Sequence, residues 1–406
     1  MSEQMAIFDF MEDRPKVNSF FCGAGGFDLG FIQAGFEIVG AWDFDKYAVQ
    51  SYNHNIGGAE QADVSKLKGD HLPKANGWLF GFPCQDISVA GKQAGMIKGQ
   101  TRSGLFYEIM RLLGEVSDKP EWILAENVKA VSKFIPTIEE EYDKAGYRLV
   151  SPQLYNSKYW GVPQNRERYF LLGIRKDLDK QFVFPEQQTD FIPKLSSILE
   201  ENVDEKYYID DLKAAKIIEQ AMNRVIKENE INMLGLLDMK GNETVRRVYD
   251  PEGLAPTLTT SEGGHRQPKI LEEIQSVFTD KDGAAYCCDA NYAKGISPGD
   301  VGNGRRTQIV TVSYNRKDGI EKEIDVAGAL TSSDWRGLNQ NQSKAAVVEI
   351  PRFRVRKLTP REYARLQGFS DSYEQIVSNS QFYKQMGNAV TVNVAHAIAT
   401  AIKEQL

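Results

Sequence analysis

No stretch of this chain is long and apolar enough to span a bilayer, and its N-terminus lacks the basic, apolar and small-residue layout of a secretory signal. The expectation is a cytoplasmic protein with no membrane partner. Cysteine is scarce. Cys22, Cys84, Cys287 and Cys288 are too few and too scattered for a disulfide framework. The four histidines do not combine with them at zinc-ligand spacing, so no metal site is expected. A basic excess is missing too, since the net charge is −7. That argues only mildly against nucleic acid, because phosphate binding needs no more than a local basic face. What remains is a chain of 406 residues with ordinary globular composition, enough for two domains.

Residues 1–15 read as a short acidic and aromatic extension. From 16 to 175, apolar strand-like runs (16–21, 36–42, 78–82, 121–125, 148–155, 168–174) alternate with amphipathic helical patterns (25–34, 46–54, 104–116, 136–145). Such alternation predicts an α/β fold with a parallel, doubly wound sheet. Near residue 185 the character changes. Residues 195–230 are charged and read as mostly helical, and 235–350 are rich in Gly, Asn, Ser and Thr with short β-branched strands. The division expected is therefore 16–185 with 352–406, and a smaller, irregular β-rich domain over 186–351. Within that domain a loose pattern recurs at Gly253–Thr259, Cys288–Val310 and Val326–Thr331. Regular structure returns after 351. Thr359-Pro360-Arg361-Glu362 is a capping box with proline at the first helical position, its helix ending at Gly368. A last helix is expected over roughly 389–404.

Phe21-Cys22-Gly23-Ala24-Gly25-Gly26-Phe27 follows a strand and opens a helix. Its glycines allow a tight turn and let a ligand approach the helix N-terminus. Asp28 stands where the dinucleotide fingerprint has its third glycine, and no Gly-Lys-Ser/Thr of a P-loop is present. The next strand ends at Asp43, placed to accept hydrogen bonds from ribose hydroxyls, and Phe44 beside it could stack on a purine. Asp63 falls where a third strand end is expected. Each residue alone also suits a loop glycine, a helix cap or a surface acid. Together, at successive strand ends, they favour a nucleoside cofactor lacking a pyrophosphate.

The apolar run Trp78–Phe82 must stop at Pro83, which leaves Cys84 at the mouth of the sheet. Glu126-Asn127-Val128 follows the next strand and should emerge on the same face. A thiol and a carboxyl together suit attack on an electron-poor ring, the thiolate adding covalently while the acid stabilises a ring nitrogen. Gln164-Asn165-Arg166-Glu167-Arg168 adds two guanidiniums at i and i+2, on one side of an extended segment.

With these segments in order, the chain resembles the cytosine-C5-specific DNA methyltransferases of bacteria and phages. Phe21–Gly26 matches their S-adenosylmethionine loop, Pro83-Cys84-Gln85 the nucleophile motif, and Glu126-Asn127-Val128 the cytosine-binding motif. Gln164–Arg168 matches the paired-arginine motif, Arg356–Phe369 the segment supporting the recognition domain, and Gly387-Asn388-Ala389-Val390 the motif that returns to the cofactor. The resemblance implies a Rossmann-like methyltransferase fold with a mixed sheet and a target-recognition domain. It implies Cys84, Glu126, Arg166 and Arg168 as catalytic residues. Phe21, Gly23, Gly25, Gly26, Asp43, Phe44, Asp63, Asn388 and Val390 would bind S-adenosylmethionine. The partner implied is double-stranded DNA, with the base flipped out, for a monomer that a cognate restriction endonuclease could accompany.

The stretch Ser88–Ser103 resembles the family's mobile loop, its glycines suited to a hinge and Lys92, Lys98 and Arg102 to phosphates. Gln85, Ser88, Lys92 and Arg102 are accordingly expected at DNA, as are Thr257 and Leu258, which resemble the Thr-Leu pair of the family's recognition domains. The cluster Arg352, Arg354, Arg356, Lys357, Arg361 and Arg365 is a further candidate phosphate face or a solvated helix face. Two departures stand out. Ser19 and Phe20 occupy positions where many members have an acid and Leu, a change expected to alter cofactor affinity little. The region before the supporting segment is long, compatible with one recognition domain plus an insertion or with several units reading different sequences. Two alternatives remain open: a tRNA cytosine-C5 methyltransferase, whose Cys-Phe-Thr signature is missing here, and a non-catalytic DNA-binding regulator.

Overall fold

The computed structural model describes residues 14–83, 102–220, 224–261, 266–274, 311–315, 319–324, 344–345 and 352–406. The chain divides into two compact units, one of residues 1–271 and 355–406, the other of residues 272–354. The segment 186–271 thus clusters with the first unit.

That unit opens with β1 (Lys16–Phe20), α1 (Gly26–Gln33), β2 (Glu37–Asp43), α2 (Lys46–Asn55), β3 (Ala59–Gln61) and β4 (Gly77–Phe80). It continues with α3 (Phe106–Glu115), β5 (Trp122–Val128), α4 (Ile135–Ala145), β6 (Tyr147–Leu149), β7 (Gln153–Asn156) and β8 (Glu167–Arg175). Strand order in the main sheet is β3-β2-β1-β4-β5-β8-β6, with β7 also on β8. The sheet is parallel from β3 to β5 and antiparallel at β8, β6 and β7, so it is mixed. The strand expected over 148–155 is two strands, both antiparallel to β8, linked where the Val150 amide donates to the Leu172 carbonyl at 2.8 Å.

Alternation in the strands builds a core on each face. Leu79, Leu124 and Leu172 face α1 and the C-terminal helix. Trp78, Phe80, Ile123, Ala125 and Leu171 face α3 and α4, where Phe106, Ile109, Ile138 and Tyr142 pack. This is the doubly wound arrangement, and strand order reverses between β1 and β4. The carboxyl ends of those strands lie side by side, Phe20 opposite Phe80, which is where open α/β sheets bind ligands.

Next come α5 (Asp211–Gln220), β9 (Met233–Leu236), α6 (Glu243–Arg246), β10 (Arg247–Tyr249) and β11 (Lys269–Ile274). The expectation of mostly helix over 195–230 is met only by α5 and short 3-10 turns. The backbone there is drawn into extended pairing, with Tyr208 bridging Arg356 and the Ile209 amide donating to Val355 at 2.8 Å. In the second unit β12 (Thr311–Asn315) pairs antiparallel with β13 (Gly319–Ile324) and β14 (Lys344–Ala345). Then β15 (Arg352–Lys357) joins a sheet of order β15-β11-β10-β9.

The chain ends with α7 (Pro360–Leu366), α8 (Asn379–Asn388) and α9 (Val392–Gln405). The capping box at Thr359 forms, with Glu362 receiving the Thr359 amide at 2.7 Å, and Gly368 takes the left-handed φ of 78° just past the helix. Arg356 and Glu362, both fully buried, form a two-pronged pair at 2.9 and 2.8 Å that fixes α7 to β15. Arg361 and Arg365 pair with Glu200 and Asp371. Three arginines of the candidate phosphate face are therefore engaged in ion pairs.

Candidate active site

The loop after β1 is built on positive φ angles at Phe21 (57°), Gly23 (56°) and Gly25 (84°). Left-handed backbone is unstrained for glycine but costs energy at a phenylalanine, so the surrounding structure must hold Phe21 there. The loop is tied down by the Cys22 amide on the Trp42 carbonyl (3.1 Å) and by the Gly23 amide on Asp43 Oδ2 (2.9 Å). Asp43, the last residue of β2, also receives the Asp45 amide at 2.7 Å on Oδ1. Each oxygen keeps a lone pair for a further donor. Burial pushes the Asp43 carboxyl up, while those two amides and Lys384 pull it back. Phe44 follows with its ring 74% exposed, and such exposure of an aromatic beside a buried acid suits a stacking surface.

Gly26 begins α1, and a Cβ built on it would lie 2.4 Å from the Val390 carbonyl oxygen. Only glycine allows that approach, which brings the 387–390 segment onto the loop after β1. Asn388 is exposed at the end of α8, and Val390 is buried. Lys384 pairs with Asp45 at 2.9 Å and Gln385 donates to the Tyr47 carbonyl at 2.9 Å, fastening α8 to the start of α2. Asp63 caps the turn after β3 by receiving Ser65 at 3.0 and 2.7 Å, which holds its carboxyl below the ordinary range.

Beside this loop, β4 leads through Gly81-Phe82 to Pro83. The Asn127 amide donates to the Phe82 carbonyl at 2.9 Å, locking the turn to the end of β5. Glu126 lies next to it, with Oε2 at 3.6 Å from a Cβ built on Gly81. Its Oε1 is 3.1 Å from Arg168 Nε on β8, without the alignment of a full hydrogen bond. Burial pushes the Glu126 carboxyl up, opposed by the charges of Arg168 and Arg166. A carboxyl so placed can hold a proton while still anchored by a guanidinium.

Both arginines therefore bear on Glu126, but their contacts differ. Arg166 is almost wholly buried and donates to the carbonyls of Gly387 (3.2 Å) and Ala389 (2.9 Å). It braces the segment that closes on Gly26, and Arg168 is the one at the acid. Gln164, to which the sequence reading gave no separate role, is fully buried and donates to Leu366 at 2.7 Å while accepting the Leu258 amide at 3.2 Å. Leu258, expected at DNA, is 2% exposed and packs with Ala24, Leu358, Tyr363 and Met386. Its side chain serves the core. Thr257 is on the surface, its hydroxyl donating to the Asn165 carbonyl at 2.6 Å. Cys84, Gln85, Ser88 and Lys92 lie outside the described residues, as does the Arg102 side chain.

The family model for C-5 cytosine-specific DNA methylases matches residues 16–404. The chain belongs to that family. Among curated relatives, the orphan methyltransferase M.SPBetaI of Bacillus phage SPbeta is 32% identical, covering 94% of this chain and 96% of its own length. The type II methyltransferase M.NgoPII of Neisseria gonorrhoeae is 28% identical, covering 96% of each. The solved structure of the S. pombe Dnmt2 methyltransferase, 17% identical, matches in fold with a TM-score of 0.58 over 97% of this chain and 99% of that one. Members of this family transfer a methyl group, so a methyl donor must be bound. Among the described residues no group of three or more His, Cys, Asp or Glu could hold a metal, and no helix is long and apolar enough to cross a membrane.

Proposed function

We propose that this chain is a sequence-specific DNA cytosine-C5 methyltransferase that uses S-adenosylmethionine and forms a covalent bond between Cys84 and C6 of a flipped cytosine. The observation that carries the reading is buried Glu126 paired with half-buried Arg168 at one end of the sheet, beside the turn that leads into Pro83-Cys84. The residues fit the cofactor. The left-handed turn at Gly23 and Gly25 keeps the loop tight against the end of β2, Asp43 has acceptor capacity for a ribose, and Phe44 offers an open ring. Asn388 and Val390 would close the site and Asp63 would lie at its rim. When bound, S-adenosylmethionine supplies an electrophilic methyl group.

The chain's own residues would do the rest. The Cys84 thiolate adds to C6, and the C5–C6 π pair moves toward C5 while Glu126 supplies the proton held at N3. That makes C5 a nucleophile for the methyl group. A base then removes the C5 proton, the electron pair re-forms the C5–C6 double bond as the sulfur leaves as thiolate, and the N3 proton returns to Glu126. Arg168 orients Glu126 and Arg166 holds the 387–390 backbone. A free thiol has a pKa near ~8.5, so the site must favour the thiolate or take its proton on attack.

We assign target recognition to residues 186–351; the separate clustering of 272–354 supports a distinct unit over the second half of that span, while 186–271 clusters with the first unit. The enzyme is read as a cytoplasmic monomer acting on duplex DNA. The type II names of the Neisseria relatives favour a cognate endonuclease, and the orphan names of the phage relatives do not. Incubation with duplex DNA and methyl-labelled cofactor tests the function, with Cys84→Ser as control. Label should reach cytosine with the unaltered protein alone, and transfer surviving the Cys84 change would remove the mechanism. Preference for tRNA over duplex DNA would move the substrate to the alternative branch.

A further inference from the structure

Two segments far apart in sequence run together as the chain enters β8. Pro163–Arg166 leads into that strand, and Ala255–Leu258 follows β10. Gln164 and Ala255 form a parallel bridge. The Ala255 amide donates to the Pro163 carbonyl at 2.8 Å, and the Asn165 amide donates to the Ala255 carbonyl at 3.0 Å. The Thr257 hydroxyl adds a bond to the Asn165 carbonyl at 2.6 Å. At Leu258 the pairing passes to one side chain. Gln164 Oε1 accepts the Leu258 amide at 3.2 Å, while Gln164 Nε2 donates at 2.7 Å to the carbonyl of Leu366, the last residue of α7. Gln164 is fully buried, so bulk water cannot replace either bond. The turn beyond Leu258 rests on α7 and α8. A Cβ on Gly387 would collide with the Thr259 carbonyl, and Ser261, at a left-handed φ of 53°, shares a hydrogen bond with the Tyr363 hydroxyl at 3.1 Å. One side of this turn is thus fixed, while Thr257 and Thr259 are exposed.

We propose that Gln164 is a positioning residue for methyl transfer: it holds the Thr257–Ser261 turn in register with the segment that carries Arg166 and Arg168, so that DNA engaged by that turn is delivered against Glu126. The inference rests on duplex DNA being the substrate and on the 186–351 region reading it. Arg168 follows Gln164 on the same run and lies 3.1 Å from Glu126, so a shift at Gln164 reaches the acid through a few residues of paired backbone. Arg166, between them, approaches the Leu258 carbonyl at 3.5 Å and donates to the Gly387 carbonyl at 3.2 Å, which ties the same turn to α8. A neutral amide suits the place because it donates and accepts at once, whereas an ionised carboxylate can only accept and an ammonium can only donate. Gln164 acts through Leu258 and Arg168 and touches neither the base nor the methyl donor.

The test is methylation of unmethylated genomic duplex DNA by the full chain, by Gln164→Met and by Gln164→Glu. The quantities read are the single-turnover rate at saturating DNA, the bases flanking each methylated cytosine by bisulfite sequencing, the affinity for S-adenosylmethionine by calorimetry, and the melting temperature. Gln164→Met keeps the length of the side chain and loses both hydrogen bonds. Its rate should fall by up to about a hundredfold, the scale on which a small misplacement far from the reacting atoms acts. Its flanking preference should broaden, with cofactor affinity close to the parent's. Gln164→Glu keeps an oxygen for the Leu258 amide, so rate and preference should return toward the parent's even if this variant melts lower than Gln164→Met. A residue that only stabilised the fold would make activity follow melting temperature instead. Parental rate and preference in Gln164→Met, or equal losses in both variants, would overturn the proposal and leave the methyltransferase reading standing. A parent chain that does not methylate duplex DNA would remove the reading itself. Should Gln164→Met not fold, Gln164→Asn, one methylene shorter, withdraws the same amide from Leu258 and carries the same expectations.

Discussion

Replacing Asp28 by Asn should make the ligand-free protein more stable in mild alkali than at acid pH, relative to the parent. Burial pushes this carboxyl from 3.8 up to about 7. That rise corresponds to about 4 kcal/mol of disfavoured ionisation. The sign follows from proton uptake. Between the unfolded and folded values the native state holds a proton that the unfolded chain has released, so stability falls as pH rises across that window and the full cost is felt above it. Asn removes the titration but keeps a buried polar amide, worth about 1–3 kcal/mol against folding if unpaired. The absolute difference at one pH is thus partly cancelled, and the pH dependence is the cleaner quantity. Between about pH 5.5 and pH 8 the gap between variant and parent should widen in the variant's favour by about 2 kcal/mol. Urea unfolding followed by tryptophan fluorescence at the two pH values measures it. A gap that does not change with pH would mean that Asp28 is already paired or already ionised, and the account of its environment would be wrong.

Three other perturbations separate architecture from site. Glu362→Gln leaves Arg356 buried without its counter-charge and should cost about 3–5 kcal/mol, seen as a lower melting temperature, with part regained when Arg356 is also made Met. Phe44→Ala should leave the melting temperature unchanged, because the ring is exposed, yet weaken S-adenosylmethionine by about 1–3 kcal/mol in calorimetry if the ring stacks on the adenine. Gly26→Ala should weaken the cofactor while leaving the sheet's circular dichroism signal in place, since a methyl at 2.4 Å from the Val390 carbonyl must push the 387–390 segment away; unchanged binding would separate that segment from the cofactor.

Some of this was readable at the level of residues because the physics is local. The run before Pro83 forms β4, although the strand already ends at Phe80, and the Thr359–Glu362 capping box closed as its spacing required. Alternating apolar runs marked the strands that became β1, β2, β4, β5 and β8. Other features depended on partners far along the chain. The backbone at 208–209 is held extended by β15 against a helical reading. Leu258 looks like a recognition residue beside Thr257, but Gln164 and the core around Tyr363 claim it. Arg166 and Arg168 are two residues apart and look equivalent, yet one meets carbonyls 221 and 223 positions away and the other meets Glu126. Asp28 carried a faint signal: an acid in an otherwise apolar first turn.

The sequence by itself determined the family, the order of the strands and helices in the catalytic core, and which residue types stand at the strand ends. These follow from period, turn chemistry and motif, all of which act within a few residues. Tertiary structure alone decided which charges are paired, which are buried, and which of two similar arginines reaches the acid. Those outcomes depend on distance and on exclusion of water between segments that the chain keeps hundreds of residues apart, and no local pattern encodes them.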